Sequence, residues 1–141
     1  MDVQGLAQAG IDAFNNRSFR EKAEDLMDVN AVVVDIPTRQ ELHGPDGFIQ
    51  YSEGFLNAIP DLKGTVIEHK VSGNKVTTRV HGRGKFTGTL QTLQGSFPGN
   101  GYRVDIEYQV QQVFNDEGKV VRFVVNYDIQ NFMRQLGIPT P

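Results

Sequence analysis

The chain reads as an α+β protein, with helices packed on one face of an antiparallel sheet. Two observations give this class. The first sixty residues hold three stretches of helical apolar spacing around one short β-branched strand. The rest is a succession of strand-like runs joined by hairpin-type turns, and alternating β-α units are absent.

Each element has a local cause. Val3, Leu6, Ala7, Gly10, Ala13 and Phe14 recur with helical period and predict a first helix that Asn15-Asn16 ends. Ser18-Phe19-Arg20-Glu21 reads as a capping box that starts a short second helix towards Met27. Ala31-Val32-Val33-Val34-Asp35-Ile36 is a strand stopped by Pro37, and Asp35 at its end reads as a turn or cap residue ahead of a catalytic one. Gly44-Pro45-Asp46 places proline for a helix start, and that third helix carries Phe48, Ile49, Tyr51, Phe55, Leu56 and Ile59 until Pro60. A strand from about Gly64 to Val71 turns at Ser72-Gly73-Asn74 into a longer one from Lys75 to about Leu90, relaxed by Gly82, Gly84 and Gly88. A Gly/Ser/Pro-rich loop from Gln94 to Gly101 leads into a strand from Tyr102 to Phe114. Asn115-Asp116-Glu117-Gly118 is a hairpin turn with Gly118 in the left-handed position.

The chain closes with an apolar strand, Val120 to Tyr127, then Asp128, then Ile129, Phe132, Met133 and Leu136 at helical spacing before Gly137 and Pro139. Asp128 thus stands at a strand-to-helix junction between apolar neighbours. An aspartate there either caps the helix or lines a cavity and does proton chemistry.

With 141 residues the chain is expected to form one domain, 1–141. It contains no cysteine, which removes disulfides and fits a cytoplasmic location. The net charge is −3 and the basic residues are scattered, so no nucleic-acid partner is expected. No run approaches the roughly 20 apolar residues of a membrane helix, and no membrane partner is expected. His43, His69 and His81 form no metal set by position, so no metal is expected.

Register decides which residues meet. If Asn115 pairs with Lys119, Asn126 lies opposite Tyr108 and Asp128 opposite Ile106. One face then carries Ile106, Tyr108, Val110 and Gln112 with Arg122, Val124, Asn126 and Asp128. This mixture of apolar and convergent polar residues suits a ligand cavity. The opposite face carries the stripe Val121, Phe123, Val125 and Tyr127, free to pack against a second copy in a homodimer. A one-residue slip exchanges the two sets.

Nearly the whole chain resembles the SnoaL-like polyketide cyclases, within the wider group of NTF2-like cones. The residues that carry the resemblance are Gly47 with the helix to Ile59-Pro60-Asp61, then Gly73-Asn74-Lys75-Val76 with Arg79, then Gly84-Lys85-Phe86-Thr87-Gly88. Pro98-Gly99-Asn100-Gly101, Glu117-Gly118-Lys119-Val120, and Asp128 followed by Gln135-Leu136-Gly137 complete it. The resemblance implies a curved antiparallel sheet with three N-terminal helices on its concave face and a short C-terminal helix. It also implies a cofactor-independent enzyme in which Asp128 is the acid/base of an intramolecular aldol ring closure on a small, apolar, carbonyl-bearing molecule. Asn126, Tyr108, Gln112 and Tyr51 would orient that substrate, within walls from Phe55, Phe86, Val110 and Val124.

The pattern departs from the family at two positions where histidine is frequent, occupied here by Phe86 and Asn126. Neither side chain shuttles protons near neutral pH. The alternatives are therefore a ketosteroid-isomerase-like proton transfer and a non-catalytic pocket or dimerisation domain.

Overall fold

The structure, a computed structural model, describes residues 1–139. The elements are α1 (Val3–Asn15), α2 (Phe19–Leu26), β1 (Met27–Asp35), β2 (Gln40–His43), α3 (Gly44–Ala58), β3 (Lys63–Ser72), β4 (Lys75–Lys85), β5 (Thr89–Thr92), β6 (Gly95–Pro98), β7 (Arg103–Phe114), β8 (Val120–Asn126) and α4 (Ile129–Leu136). Six strands form one curved, mixed sheet in the order β2-β1-β8-β7-β4-β3, and β5 and β6 form a separate two-stranded ribbon. The helices cover the inner face, as the α+β reading requires. One ladder is parallel: β1 pairs with β8 through Val33 with Phe123 and Asp35 with Val125. Parallel pairing needs a long connection, and here everything from β2 to β7 supplies it.

Local signals work at most helix ends. Asp2 accepts a hydrogen bond from the Gly5 amide at 3.0 Å and caps α1, and Pro45 stands in the first turn of α3. At the other end of the chain, Gly137 adopts φ +72, its amide donates to Arg134 O, and the Ile138 amide donates to Met133 O. This is a Schellman closure of α4. The capping box expected at α2 does not form. The Ser18 amide is already taken by Ala13 O at 2.9 Å, so Glu21 has no donor to reach, and Ser18 Oγ is buried without a partner. The strand expected to run on to Leu90 stops at Lys85, and the expected loop from Gln94 contains the outer half of the β5–β6 ribbon.

The decisive departure is in the last hairpin. The turn closes as expected: the Asn115 amide donates to Lys119 O at 2.9 Å, and Gly118 adopts φ +78. Phe114 then pairs with Val120, but Val113 pairs with Arg122, so Val121 is an extra residue, a β-bulge. Beyond it the register is shifted by one: Gln112 faces Phe123, Val110 faces Val125 and Gln109 faces Asn126. Because side chains alternate with period two, the shift turns the expected inner set of β8 outward. Phe123, Val125 and Tyr127 join the inner face, while Arg122, Val124, Asn126 and Asp128 leave it. The stripe expected to face a second copy is thereby interior, and it no longer supports a homodimer.

The interior consists of two apolar clusters. One lies between α1, α2, α3 and the sheet, with Phe48, Tyr51, Val110, Phe123 and Val125 among its members. The other lies under α4 and includes Ile59, Leu62, Phe86, Val104, Ile106 and Phe132.

Candidate functional site

A cavity of about 90 Å³ opens where these two clusters meet. Its walls come from Gly10, Ile11 and Phe14 of α1, Phe48, Tyr51, Ser52 and Phe55 of α3, and Val104, Ile106, Tyr108 and Val110 of β7. Phe123, Val125, Tyr127 and Phe132 close the far side. Part of this wall is a cluster of edge-to-face rings. Tyr51 meets Phe55 at 5.2 Å between centroids, Phe55 meets Tyr127 at 6.2 Å and Phe132 at 6.1 Å, and Tyr127 meets Phe132 at 5.7 Å. Each such pair adds about 0.5–1.5 kcal/mol beyond the area it buries, which stabilises this wall.

Behind the tyrosines lies Asp35, only 2% exposed. Alternation along β1 puts Ala31, Val33 and Asp35 on the inner face, which is why a carboxylate enters the core here. Asp35 Oδ1 accepts from the Thr38 amide at 3.1 Å and from Thr38 Oγ1 at 2.9 Å, an Asx-type turn that ends the strand. The turn role expected of Asp35 is therefore present, but it occupies one oxygen. Asp35 Oδ2 accepts from the Tyr51 hydroxyl at 2.6 Å and from the Tyr127 hydroxyl at 3.0 Å. A buried carboxylate is tolerable only with such a full set of donors.

The electrostatics of the phenols follow. Burial, then the Asp35 charge beside it, holds the Tyr51 hydroxyl well above the ordinary phenol range. Tyr127 is raised for the same two reasons. Burial alone pushes Tyr108 up to about 12. All three phenols are therefore protonated at neutral pH. Tyr51 and Tyr127 direct their protons at Asp35, which leaves their oxygens as acceptors.

The structure divides the residues expected at the site. Tyr51, Phe55, Tyr108 and Val110 line the cavity. Gln112 is fully buried beneath it, donating to Ala7 O at 3.3 Å, with its Oε1 enclosed and unpartnered. Phe86 is also fully buried, but in the cluster under α4, and it does not reach the cavity wall. Val124 lies on the outer sheet face, between Val34 of β1 and Gln111 of β7. Asn126 and Asp128 are exposed, in a shallow polar hollow on that outer side with Arg79, Glu107 and Gln109.

Asp128 is thus not walled off from water. Its carboxylate accepts from the Asn131 amide at 3.1 Å and caps α4. The expectation of a desolvated Asp128 inside the cavity is overturned, and the bulge at Val121 is the physical reason.

Asp35 behind the cavity, and Tyr127 and Ser52 on its wall, are placed there only by the structure. The alternation of Ala31, Val33 and Asp35 was a usable signal for the first. No local signal marked Tyr127, because its face depends on the bulge, and Val121 is an ordinary β-branched residue with no glycine to announce it.

Elsewhere the polar groups pair with one another. Arg79 donates to Glu68 at 2.9 Å and to Glu107 at 3.0 Å across the outer face, and His81 pairs with Asp105. The Arg79 guanidinium holds the Glu68 carboxyl below its usual range, and His81 does the same for Asp105. His69 bridges Thr78 Oγ1 at 2.7 Å and Gln8 Oε1 at 2.8 Å. Among the described residues no three His, Cys, Asp or Glu side chains converge as a metal site would require, and no helix is long and apolar enough to cross a membrane.

Comparison with known proteins fits this architecture. The family model for SnoaL-like polyketide cyclases matches residues 5–136. No curated protein matches. Among solved structures, IdmH of Streptomyces antibioticus, described as a proposed polyketide cyclase, is 19% identical, covers 98% of this chain and 100% of its own, and superposes with a TM-score of 0.78. AclR of Streptomyces galilaeus, described as a proposed hydroxylase, is 20% identical over 98% of each chain, with a TM-score of 0.77. A hypothetical protein of Catenulispora acidiphila with a ketosteroid-isomerase-like fold, crystallised with trimethylamine, is 14% identical over 96% of this chain and 97% of its own, with a TM-score of 0.77. At these identities the likeness concerns the fold, which carries several chemistries. Matched over almost its full length, the chain belongs to the SnoaL-like polyketide cyclase family, a membership that supports a role of the cyclase or isomerase type.

Proposed function

We propose that the protein catalyses a cofactor-independent proton transfer beside a carbonyl group, on a compact apolar substrate held in the aromatic cavity. The observation that carries this reading is the buried Asp35 with the Tyr51 and Tyr127 hydroxyls between it and the cavity. A carbon next to a carbonyl gives its proton to the Tyr51 oxygen while that oxygen passes its own proton to Asp35. The C–H electron pair moves into the carbonyl and forms an enolate. Run backwards, the relay returns a proton. Delivered to another carbon, it completes an isomerisation. Delivered to the alkoxide formed when the enolate carbon attacks a second carbonyl of the same molecule, it completes a ring closure. Positioned acid/base groups of this kind contribute about 10²–10⁴-fold. Asp128 has no part in the scheme, because its carboxylate is in solvent and committed to α4.

Cavity size bounds the substrate. A benzene-sized ring occupies a hollow of about 150 Å³, against about 90 Å³ here. A single small ring is the substrate size this hollow favours.

The test needs no natural substrate. Deuterium uptake at the carbons beside the carbonyl of cyclopentanone is followed by proton NMR in D₂O near neutral pD. The expected result is acceleration over buffer that falls at least about tenfold in Asp35→Asn and in Tyr51→Phe. No acceleration, or acceleration untouched by both variants in folded protein, overturns the proposal. A binding-only role draws support from one specific observation: both Asp35 oxygens are already engaged. Cyclopentanone that binds in the cavity without exchanging its protons identifies that role.

A further inference from the structure

Tyr108 has an unusual seat. On the two strands that follow β7 in the sheet, Gly82 of β4 and Gly64 of β3 lie directly opposite each other in register. A Cβ placed on Gly82 would meet Tyr108 Cε1 at 2.9 Å, and one on Gly64 would meet the Tyr108 hydroxyl at 2.6 Å. The phenol therefore lies along the sheet across two missing side chains, where an ordinary strand pair would push it up into the cavity. Glycine inside a strand weakens it and marks a close approach; here the approaching group is a tyrosine ring.

The seat is also tied down. Asn15, at the end of α1, donates from Nδ2 to Gly64 O at 2.7 Å and accepts from the Gly64 amide at 2.9 Å. These two bonds hold the β3 end of the slot against the helix that forms the roof of the cavity.

The hydroxyl so placed is free. Tyr51 and Tyr127 spend their protons on Asp35. Tyr108 lines the same cavity and has no hydrogen-bond partner among the described residues. The residue is partly buried, so the hydroxyl is not sealed in the core, and an acceptor on a ligand in the cavity would give it the partner it lacks within the protein.

We propose that Tyr108 is the group by which the cavity recognises a carbonyl oxygen, and that Gly64, Gly82 and Asn15 are positioning residues that seat its phenol for that contact. The ligand class is a compact apolar molecule bearing a hydrogen-bond acceptor. This rests on the cavity being the binding site, as proposed above, and is independent of the Asp35 relay. In the catalysed reaction the same contact would stabilise the enolate oxygen, where charge develops.

A matched pair of ligands tests it: cyclopentanone, and methylenecyclopentane, which has nearly the same shape with carbon in place of the acceptor oxygen. Binding of each is measured by NMR titration. Tyr108→Phe is expected to weaken the ketone about fivefold, the loss of one hydrogen bond, and to leave the hydrocarbon within about twofold. Gly82→Ala is expected to weaken both at least about tenfold, because its methyl lifts the phenol into the cavity, and Gly82→Ala with Tyr108→Ala is expected to restore the hydrocarbon. The proposal is overturned if Tyr108→Phe affects both ligands equally. Should neither ligand bind the parent protein, the cavity reading itself falls. Should both bind with a ratio that ignores Tyr108, only this inference falls. Tyr108→Phe decides the matter even if Gly82→Ala fails to fold.

Discussion

Replacing Asp35 by asparagine tests the centre of the site most directly, because the shape hardly changes while the charge is lost. The amide oxygen can keep both bonds from Thr38, at 3.1 and 2.9 Å. The amide nitrogen then faces the Tyr51 and Tyr127 hydroxyls, which stand 2.6 and 3.0 Å from the oxygen it replaces. Both phenols must turn their protons away and accept instead. Hydrogen bonds to a charged group contribute about 1.5–3 kcal/mol and neutral ones about 0.5–1.5, so exchanging two of them costs about 2–3 kcal/mol. For a chain of this length that corresponds to a fall in Tm of roughly 10 °C. Alanine at the same place leaves the phenols and Thr38 without any acceptor and costs more, about 4 kcal/mol. Thermal and urea melts near neutral pH measure both. A double-mutant cycle of Asp35→Asn with Tyr51→Phe isolates the pair and is expected to give a coupling of about 1–2 kcal/mol. An Asp35→Asn protein within 0.5 kcal/mol of the parent (roughly the scatter of additive sites), or an additive cycle, would refute the picture of an anion held by phenols.

The other consequences are smaller and separable. Asp128→Ala is expected to cost about 1 kcal/mol through the lost cap while Asp128→Asn costs almost nothing, and neither changes deuterium uptake into cyclopentanone; a large fall in uptake with unchanged stability would return Asp128 to the chemistry. Tyr108 has its folded pKa raised from 10.0 to about 12. The stability it contributes is therefore complete below pH 10 and disappears as pH rises from 10 towards 12, a loss of about 3 kcal/mol. Tyr51 and Tyr127 act in the same direction, so urea midpoints should fall steeply above pH 10, and less steeply in Tyr108→Phe. The register of β8 is checked by a neighbouring pair. Val125→Asn puts an amide into the core and is expected to cost about 2–4 kcal/mol, whereas Asn126→Val on the outer face stays within about 0.5 kcal/mol. The opposite order would show the strand to be turned the other way.

The amino-acid order alone determined the class and most of the elements, because helices and turns depend on groups a few residues apart. The period of Val3 to Phe14, Pro45 opening α3, Gly118 in the last turn and the Gly137 closure were all visible without tertiary information. The resemblance carried by Gly47, Gly73-Asn74-Lys75-Val76 and Gln135-Leu136-Gly137 added the arrangement of helices on a curved sheet. What the tertiary structure decided is which carboxylate meets the cavity. A single extra residue at Val121 turns β8 over, sending Asn126 and Asp128 to solvent and bringing Tyr127 inward. Parallel pairing of β1 with β8 then sets Asp35 beside Val125, within reach of two phenols from distant parts of the chain. Neither event has a local signature. A bulge at a β-branched residue is chosen by what the sheet must bury, and the approach of Asp35 to Tyr51 and Tyr127 exists only after α3 and the two strands have packed together.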